Sequence, residues 1–231
     1  MHYPHTIQKV ILTKRDGERI VYPNFLPLIQ LSSLVIAEQS KAAGYKTLGN
    51  KVDDAEFEFP VNLSEIFYQI LMEKQELPTT EEFFEKIILN FPDFENCSEE
   101  KQIGYKTRAL SRTFPSLVRD VHFAKMSSEL IAMDYDVCVS PTLDMDGIDV
   151  LLTSRKTNIN YGICLFLNTP YAIHHLNRKR DKRLRFENTF YKEIALDRQQ
   201  SDYLWLFSEE HVKRLVKEIN ENPLKDYPQT I

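Results

Sequence analysis

Glycine is scarce in this chain, six in 231 residues, and none falls in a GxGxxG or GxxxxGKS/T loop. The phosphate-cradling turns of dinucleotide-binding and P-loop proteins are therefore missing, and a doubly wound nucleotide-binding domain has no support. HExxH, paired CxxC and GxSxG are also lacking, which removes metalloprotease, zinc-ribbon and α/β-hydrolase chemistry. Cysteine is limited to Cys97, Cys138 and Cys164. They are odd in number and widely spaced, and Cys138 and Cys164 sit in apolar runs, the pattern of reduced core residues and not of a disulfide framework. No apolar run reaches the roughly 18 to 20 residues that a membrane helix uses, and the opening MHYPHTIQK has no signal-peptide core. The expectation is a cytoplasmic protein with no membrane partner.

What is present supports a packed core: 42% of residues are hydrophobic and 11% aromatic. The formal net charge of −5 argues against a protein that coats nucleic acid indiscriminately, yet it hides a segregation. Between His174 and Arg185 stand Arg178, Lys179, Arg180, Lys182, Arg183 and Arg185 against a single acid, Asp181, whereas Glu81 to Glu100 is mostly acidic. A solvated helix face normally mixes signs at i and i+4, so a nearly pure positive run points to phosphate contact. The plainer reading is a helix end whose cations complement its C-terminal dipole.

The first 95 residues read as a β-hairpin plus a small helical unit. Alternating β-branched runs flank Asp16-Gly17, a hairpin turn pair. Helical spacing follows in LIQLSSLVIAEQSKAA, in Leu63 to Lys74 with Ser64 as cap candidate, and after Thr79-Thr80-Glu81-Glu82. Residues 96–231 change character and read as an α/β core. A helix from Ser116 to Met133 precedes three strand candidates, YDVCVS, GIDVLLT and YGICLFL. Then come a helix from Pro170 to about Arg185, a strand candidate DYLWLF, and a helix after Ser208.

The stretch from Asp144 to Arg183 carries the functional signal. LDMDGIDVLL puts an acidic cluster before and within a strand, NYGICLFLNTP follows, and the basic helix closes the unit. Acids at the mouth of a sheet hold a divalent metal, and cations twenty residues on hold phosphates. Asp149, between Ile148 and Val150, is the charged residue in an apolar run that most needs a reason; Asp144 and Asp146, beside Gly147, suit ordinary turn chemistry as well. Asn168 and Thr169 close the apolar strand where they could bond a phosphate, or cap the next helix.

Over residues 116–207 this order of elements and the "GIDV" strand resemble the PD-(D/E)xK, or restriction endonuclease-like, nuclease superfamily. The resemblance implies an α/β (α+β) fold with a mixed sheet flanked by helices, and Asp149 as a metal ligand. It further implies Glu129 on the first core helix as a second ligand and catalytic acid, with Mg²⁺ (or Mn²⁺) as the ion. It also implies a lysine that activates water. The strand that should carry acid-x-Lys has Cys164 and Phe166 instead, so Lys179 is the catalytic lysine candidate, with Lys182 and Lys125 as substitutes. Phosphate contacts fall to Arg178, Lys179, Arg180, Lys182, Arg183, Thr169 and Asn168. The activity implied is DNA phosphodiester hydrolysis in restriction, defence or mobile-element function, with a symmetric homodimer the simplest way to cut both strands. The alternatives are a catalytically inactive nuclease fold that binds nucleic acid, and a protein-interaction domain.

Overall fold

A computed structural model describes residues 7–45, 58–170, 172, 173, 176, 180, 184–197 and 204–226. Strands β1 (Lys9–Thr13) and β2 (Arg19–Pro23) form an antiparallel hairpin with Val10 opposite Tyr22 and Leu12 opposite Ile20. Its turn closes through Gly17, whose φ of +89° is the left-handed conformation that glycine adopts without a Cβ penalty. Helix α1 (Ser33–Ala42) is capped by the Ser32 hydroxyl, and α2 (Leu63–Lys74) by the Asn62 side chain, which takes the Glu65 N–H. Helix α3 (Thr80–Leu89) opens on a reciprocal capping box between Thr79 and Glu82. Ser64, the cap candidate for α2, lies one residue inside the helix and serves another purpose described below.

A helix that sequence reading did not foresee, α4 (Glu99–Arg108), begins where the acidic stretch ends, and it runs straight into α5 (Phe114–Leu130). The junction, Ala109–Thr113, is a π-helical turn. Pro115 explains it: a proline has no N–H for the carbonyl four residues back and its ring crowds that carbonyl, so the helix widens just before it. The expected start of the helix at Ser116 is thus an interior position. α5 is buried along most of its length, from Phe114 to Ser127, and becomes exposed at Glu129 and Leu130.

The sheet has the order β3 (Tyr135–Cys138), β4 (Val150–Ser154), β5 (Asn160–Leu167), β6 (Thr189–Leu196). The first three are antiparallel neighbours, and β6 lies parallel to β5. A parallel neighbour needs a crossover, and Pro170, Ala172, Ile173, Leu176 and Arg180 are helical. A short helix α6 (Pro141–Met145) joins β3 to β4, and α7 (Glu209–Glu221) follows the sheet. The architecture is a mixed α/β fold around a four-stranded mixed sheet.

The fourth strand differs from the sequence expectation. DYLWLF was the candidate, but its described part, residues 204–207, pairs with no strand and instead packs on α5, where Phe207 meets Phe123 edge-on at 5.3 Å. The strand is TFYKEIAL, whose central Lys192 and Glu193 disguise it. Both are buried, and each carries its own counter-charge, so a strand interior tolerates them.

The sheet has two unlike faces. Val150, Leu152, Tyr161, Ile163, Leu165 and Ile194 join the main core with α2, α3, α5 and α7. On the other face Cys138, Leu151 and Tyr191 pack with Leu12 and Tyr22 of the hairpin, with Leu143, Ile148 and Phe186. The hairpin is held to this face by the Lys14–Phe186 bridge and by the Glu187 N–H donating to Thr13 O at 2.7 Å.

Candidate functional site

Asp149 stands immediately before β4 and not inside it. The preceding turn passes through Gly147 at φ +83°, a conformation glycine accepts freely. Val150 is the register partner of Ile163, yet the Asp149 N–H also donates to Ile163 O at 3.0 Å, so two residues face one. That is the geometry of a β-bulge, which re-aims a side chain at a strand end. The carboxylate turns along the ladder, and Oδ2 accepts the Leu165 N–H at 2.6 Å. One oxygen of Asp149 is therefore engaged by β5.

A second acid, Asp120, lies on the buried part of α5. Asp120, Asp144 and Asp149 all bear electrostatically on the phenol of Tyr68 on α2. Burial first, and these three carboxylates next, push Tyr68 well above the ordinary tyrosine range, so it stays a neutral hydroxyl. Glu129 lies elsewhere. It is nine residues further along α5, about 13 Å at a helical rise of 1.5 Å per residue. It is exposed, and its carboxylate takes the Ser33 N–H at 2.8 Å and the Ser33 hydroxyl at the start of α1. Its work is to cap α1.

The remaining acids of the turn are occupied in tying elements together. Asp144 accepts from the Ser64 hydroxyl of α2, and Asp146 accepts from the Tyr22 hydroxyl of β2 at 2.6 Å. On β5, Cys164 is buried and its thiol donates to Gly147 O at 2.8 Å, while Phe166 is half-buried. Neither binds a hard cation or polarises water. Cys138 is inert in a different way, since burial pushes its thiol up to about 12.

The basic segment is anchored through one residue. The Arg180 guanidinium grips Glu193 with Nε on Oε1 at 2.8 Å and Nη2 on Oε2. Glu193 is the register partner of Cys164 and its side chain is 2% exposed, so this fork pins the crossover helix to β6. Arg178, Lys179, Lys182 and Arg183 fall outside the described residues, as do His174 and His175. Asn168 donates to Asp197 Oδ1 at 2.8 Å, and the Thr169 hydroxyl takes the Ala172 N–H at 3.2 Å, capping the crossover helix. Lys125 is engaged with the segment before α1, its Nζ donating to Ile29 O at 3.0 Å.

Lys192 is also engaged elsewhere. It is the register partner of Ile163, on the α5 and α7 side of the sheet, and its Nζ bonds Lys225 O at 2.7 Å, Asn222 O at 3.3 Å and Glu218 at 3.3 Å. Sequence reading missed Asp120, Tyr68 and Glu193. Only Asp120 left a signal: a charged pair, Arg119-Asp120, set between Val118 and Val121 on a largely apolar helix.

A divalent-metal centre needs several oxygen ligands converging on one point. Among the described residues no group of three or more His, Cys, Asp or Glu side chains does so. With one Asp149 oxygen given to Leu165, and Asp144 and Asp146 tied to hydroxyls, the described donors do not fit a complete Mg²⁺ site. No helix of the described residues is long and apolar enough to cross a membrane. Compared with known proteins, the chain matches no family model, no curated protein and no solved structure.

Proposed function

We propose that this chain is a restriction endonuclease-like module that binds nucleic-acid phosphates, DNA first, without the full metal centre that hydrolysis uses. Support for the fold comes from element order. A long helix, three antiparallel strands, a crossover helix and a fourth strand parallel to the third form one mixed sheet, with Asp149 at the mouth of the second strand. The observation that carries the silent reading is Cys164. The strand position for the missing acid holds a buried thiol spent on Gly147 O, and Arg180 neutralises the nearest acid in register, Glu193. The phosphate-binding residues would be Arg178, Lys179, Lys182 and Arg183, which flank Arg180 in the sequence.

A second reading keeps catalysis: a Mg²⁺- or Mn²⁺-dependent deoxyribonuclease of restriction, defence or mobile-element type, working as a homodimer. One feature favours it: the Asp120 and Asp149 carboxylates both push the buried Tyr68 phenol toward its neutral form. In this reading Asp120 replaces Glu129 as the helix acid, and Lys179 is the lysine.

One experiment separates the two. Plasmid and single-stranded DNA are incubated with the protein in Mg²⁺ and in Mn²⁺ beside Asp149→Asn, while binding to a labelled duplex is followed from about 50 to 200 mM salt. Salt-sensitive binding without cutting is expected. Neutralising Arg178, Lys179, Lys182 and Arg183 together should flatten the log–log salt dependence by about three to four units. Metal-dependent nicking that Asp149→Asn abolishes would establish the nuclease. No binding to DNA at any salt would refute both.

A further inference from the structure

The edge of the sheet at β3 is closed except at one place. The Arg155 N–H donates to Asp134 O, so the even-numbered residues of this strand face β4 and the odd-numbered ones face outward. Along the outward row the Tyr135 N–H is taken by Ile131 O. Further on, Asn24 imitates a strand: its Nδ2 donates to Val137 O at 3.0 Å and its Oδ1 accepts the Val139 N–H at 3.3 Å. The Phe25 N–H then takes Val139 O at 3.0 Å. Between these two plugs the Tyr135 carbonyl and the Val137 N–H have no hydrogen-bond partner among the described residues. They open into a groove of about 260 Å³ whose lining includes Leu26, Pro27, Ala132, Lys125 and Arg155.

One carbonyl followed two residues later by one N–H is the pairing that a single residue makes when added parallel to a strand. A ligand residue level with Asp136 would give its N–H to Tyr135 and its carbonyl oxygen to Val137. Its chain cannot pair further, because Asn24 already holds the next acceptor and donor. Pairing there is limited to one residue, and when that residue is the last of its chain its carboxylate meets the Val137 N–H. The groove suits that charge: Lys125 Nζ makes one bond, to Ile29 O, and Arg155 uses Nε and Nη2 on Asp136. Leu26, Pro27 and Ala132 offer a small apolar wall for a short side chain.

We propose that this groove captures the free C-terminal carboxylate of a peptide by adding its last residue, in parallel register, to the edge of β3. The site is independent of the nucleic-acid reading and shares no residue with it. The test uses acetyl-Gly-Ala-Val with a free carboxylate and its C-amidated counterpart, followed by amide chemical shifts of the ¹⁵N-labelled full-length protein. The free acid is expected to move the Val137 resonance saturably at about 5 mM, enough to populate a millimolar site. The amide, and the variants Lys125→Met and Arg155→Gln, should each bind about tenfold more weakly, as loss of a charge-assisted contact predicts. Arg155 is largely exposed, so its variant keeps the test open should Lys125→Met fold poorly. A Val137 resonance that stays still in folded protein, or equal binding by the amide, overturns the proposal.

Discussion

Lys192 offers the sharpest test of how the buried charges are arranged, because its role in stability and a role in chemistry predict opposite results. Its side chain is 1% exposed, and Nζ reaches two carbonyls beyond the end of α7 and the Glu218 carboxylate. Lys192→Met keeps most of the aliphatic stem and removes the ammonium. Hydrogen bonds with a charged donor contribute about 1.5 to 3 kcal/mol each, and breaking one half of a fully buried pair costs about 3 to 5 kcal/mol. Glu218 is 35% exposed and regains water when its partner is lost, so the loss should fall near 2 to 3 kcal/mol. At roughly 2 to 4 °C per kcal/mol for a chain of this size, Tm should drop by about 5 to 10 °C. Glu218→Gln, which leaves both carbonyl bonds intact, should cost under about 1 kcal/mol. Urea unfolding with thermal melts as a second readout measures all three proteins, and DNA affinity per folded molecule should not change. A Lys192→Met protein as stable as the parent would refute the reasoning, since the ammonium would then return no more than its desolvation cost. Lost DNA cleavage or binding without lost stability would instead put Lys192 in the site.

Three further outcomes follow from the same contacts. Asp149→Ala strands the Leu165 N–H and should cost about 1 to 3 kcal/mol, whereas Asp149→Asn keeps an acceptor there and should melt within about 1 kcal/mol of the parent; equal melting of the two variants would show that the bond contributes little. Glu129→Ala removes the carboxylate that receives Ser33 and should destabilise by about 1 kcal/mol with DNA binding unchanged, so a selective loss of binding would restore Glu129 to the site. Burial of His122 on α5 lowers its pKa from 6.5 to about 4, the neutral form being the one that fits the core. The unfolded chain then takes up a proton that the folded one refuses, so stability is complete above pH 6.5 and is lost as pH falls toward 4, by up to about 3 kcal/mol. His122→Phe should flatten the stability profile over that window, and an unchanged slope would assign the acid sensitivity to other groups.

Much of the fold was legible because local signals agreed with the tertiary arrangement. The hairpin turn, the boundaries of α2, the Thr79–Glu82 box and the three strands β3 to β5 each rest on residues that act within their own element. The misreadings share a different cause. β6 carries Lys192 and Glu193 in its centre, and only partners far away in sequence, Glu218 and Arg180, make that alternation a strand. The helix before α5 escaped notice because Pro115 looks like a beginning, when a π-turn absorbs it. For the site, Glu129 was named by resemblance, and Asp120 was not considered, because periodicity alone does not give depth along α5.

The acidic turn shows why composition misleads about chemistry at such a place. Asp144 and Asp146 look like ligands because carboxylates cluster there, but each accepts a hydroxyl from an element of the first 95 residues, Ser64 of α2 and Tyr22 of β2. The turn between β3 and β4 is thus where the hairpin and the helical unit are fastened to the sheet. A carboxylate serving as a clasp needs only acceptor capacity, which an amide supplies, whereas a carboxylate serving a cation needs its charge. Asp144→Asn and Asp146→Asn should therefore leave DNA binding or cleavage intact at modest cost in stability. Asp120→Asn and Asp149→Asn should alter cleavage if the protein cuts at all. A turn whose amide variants abolish function while the protein stays folded would mean that the clasp and the site are one.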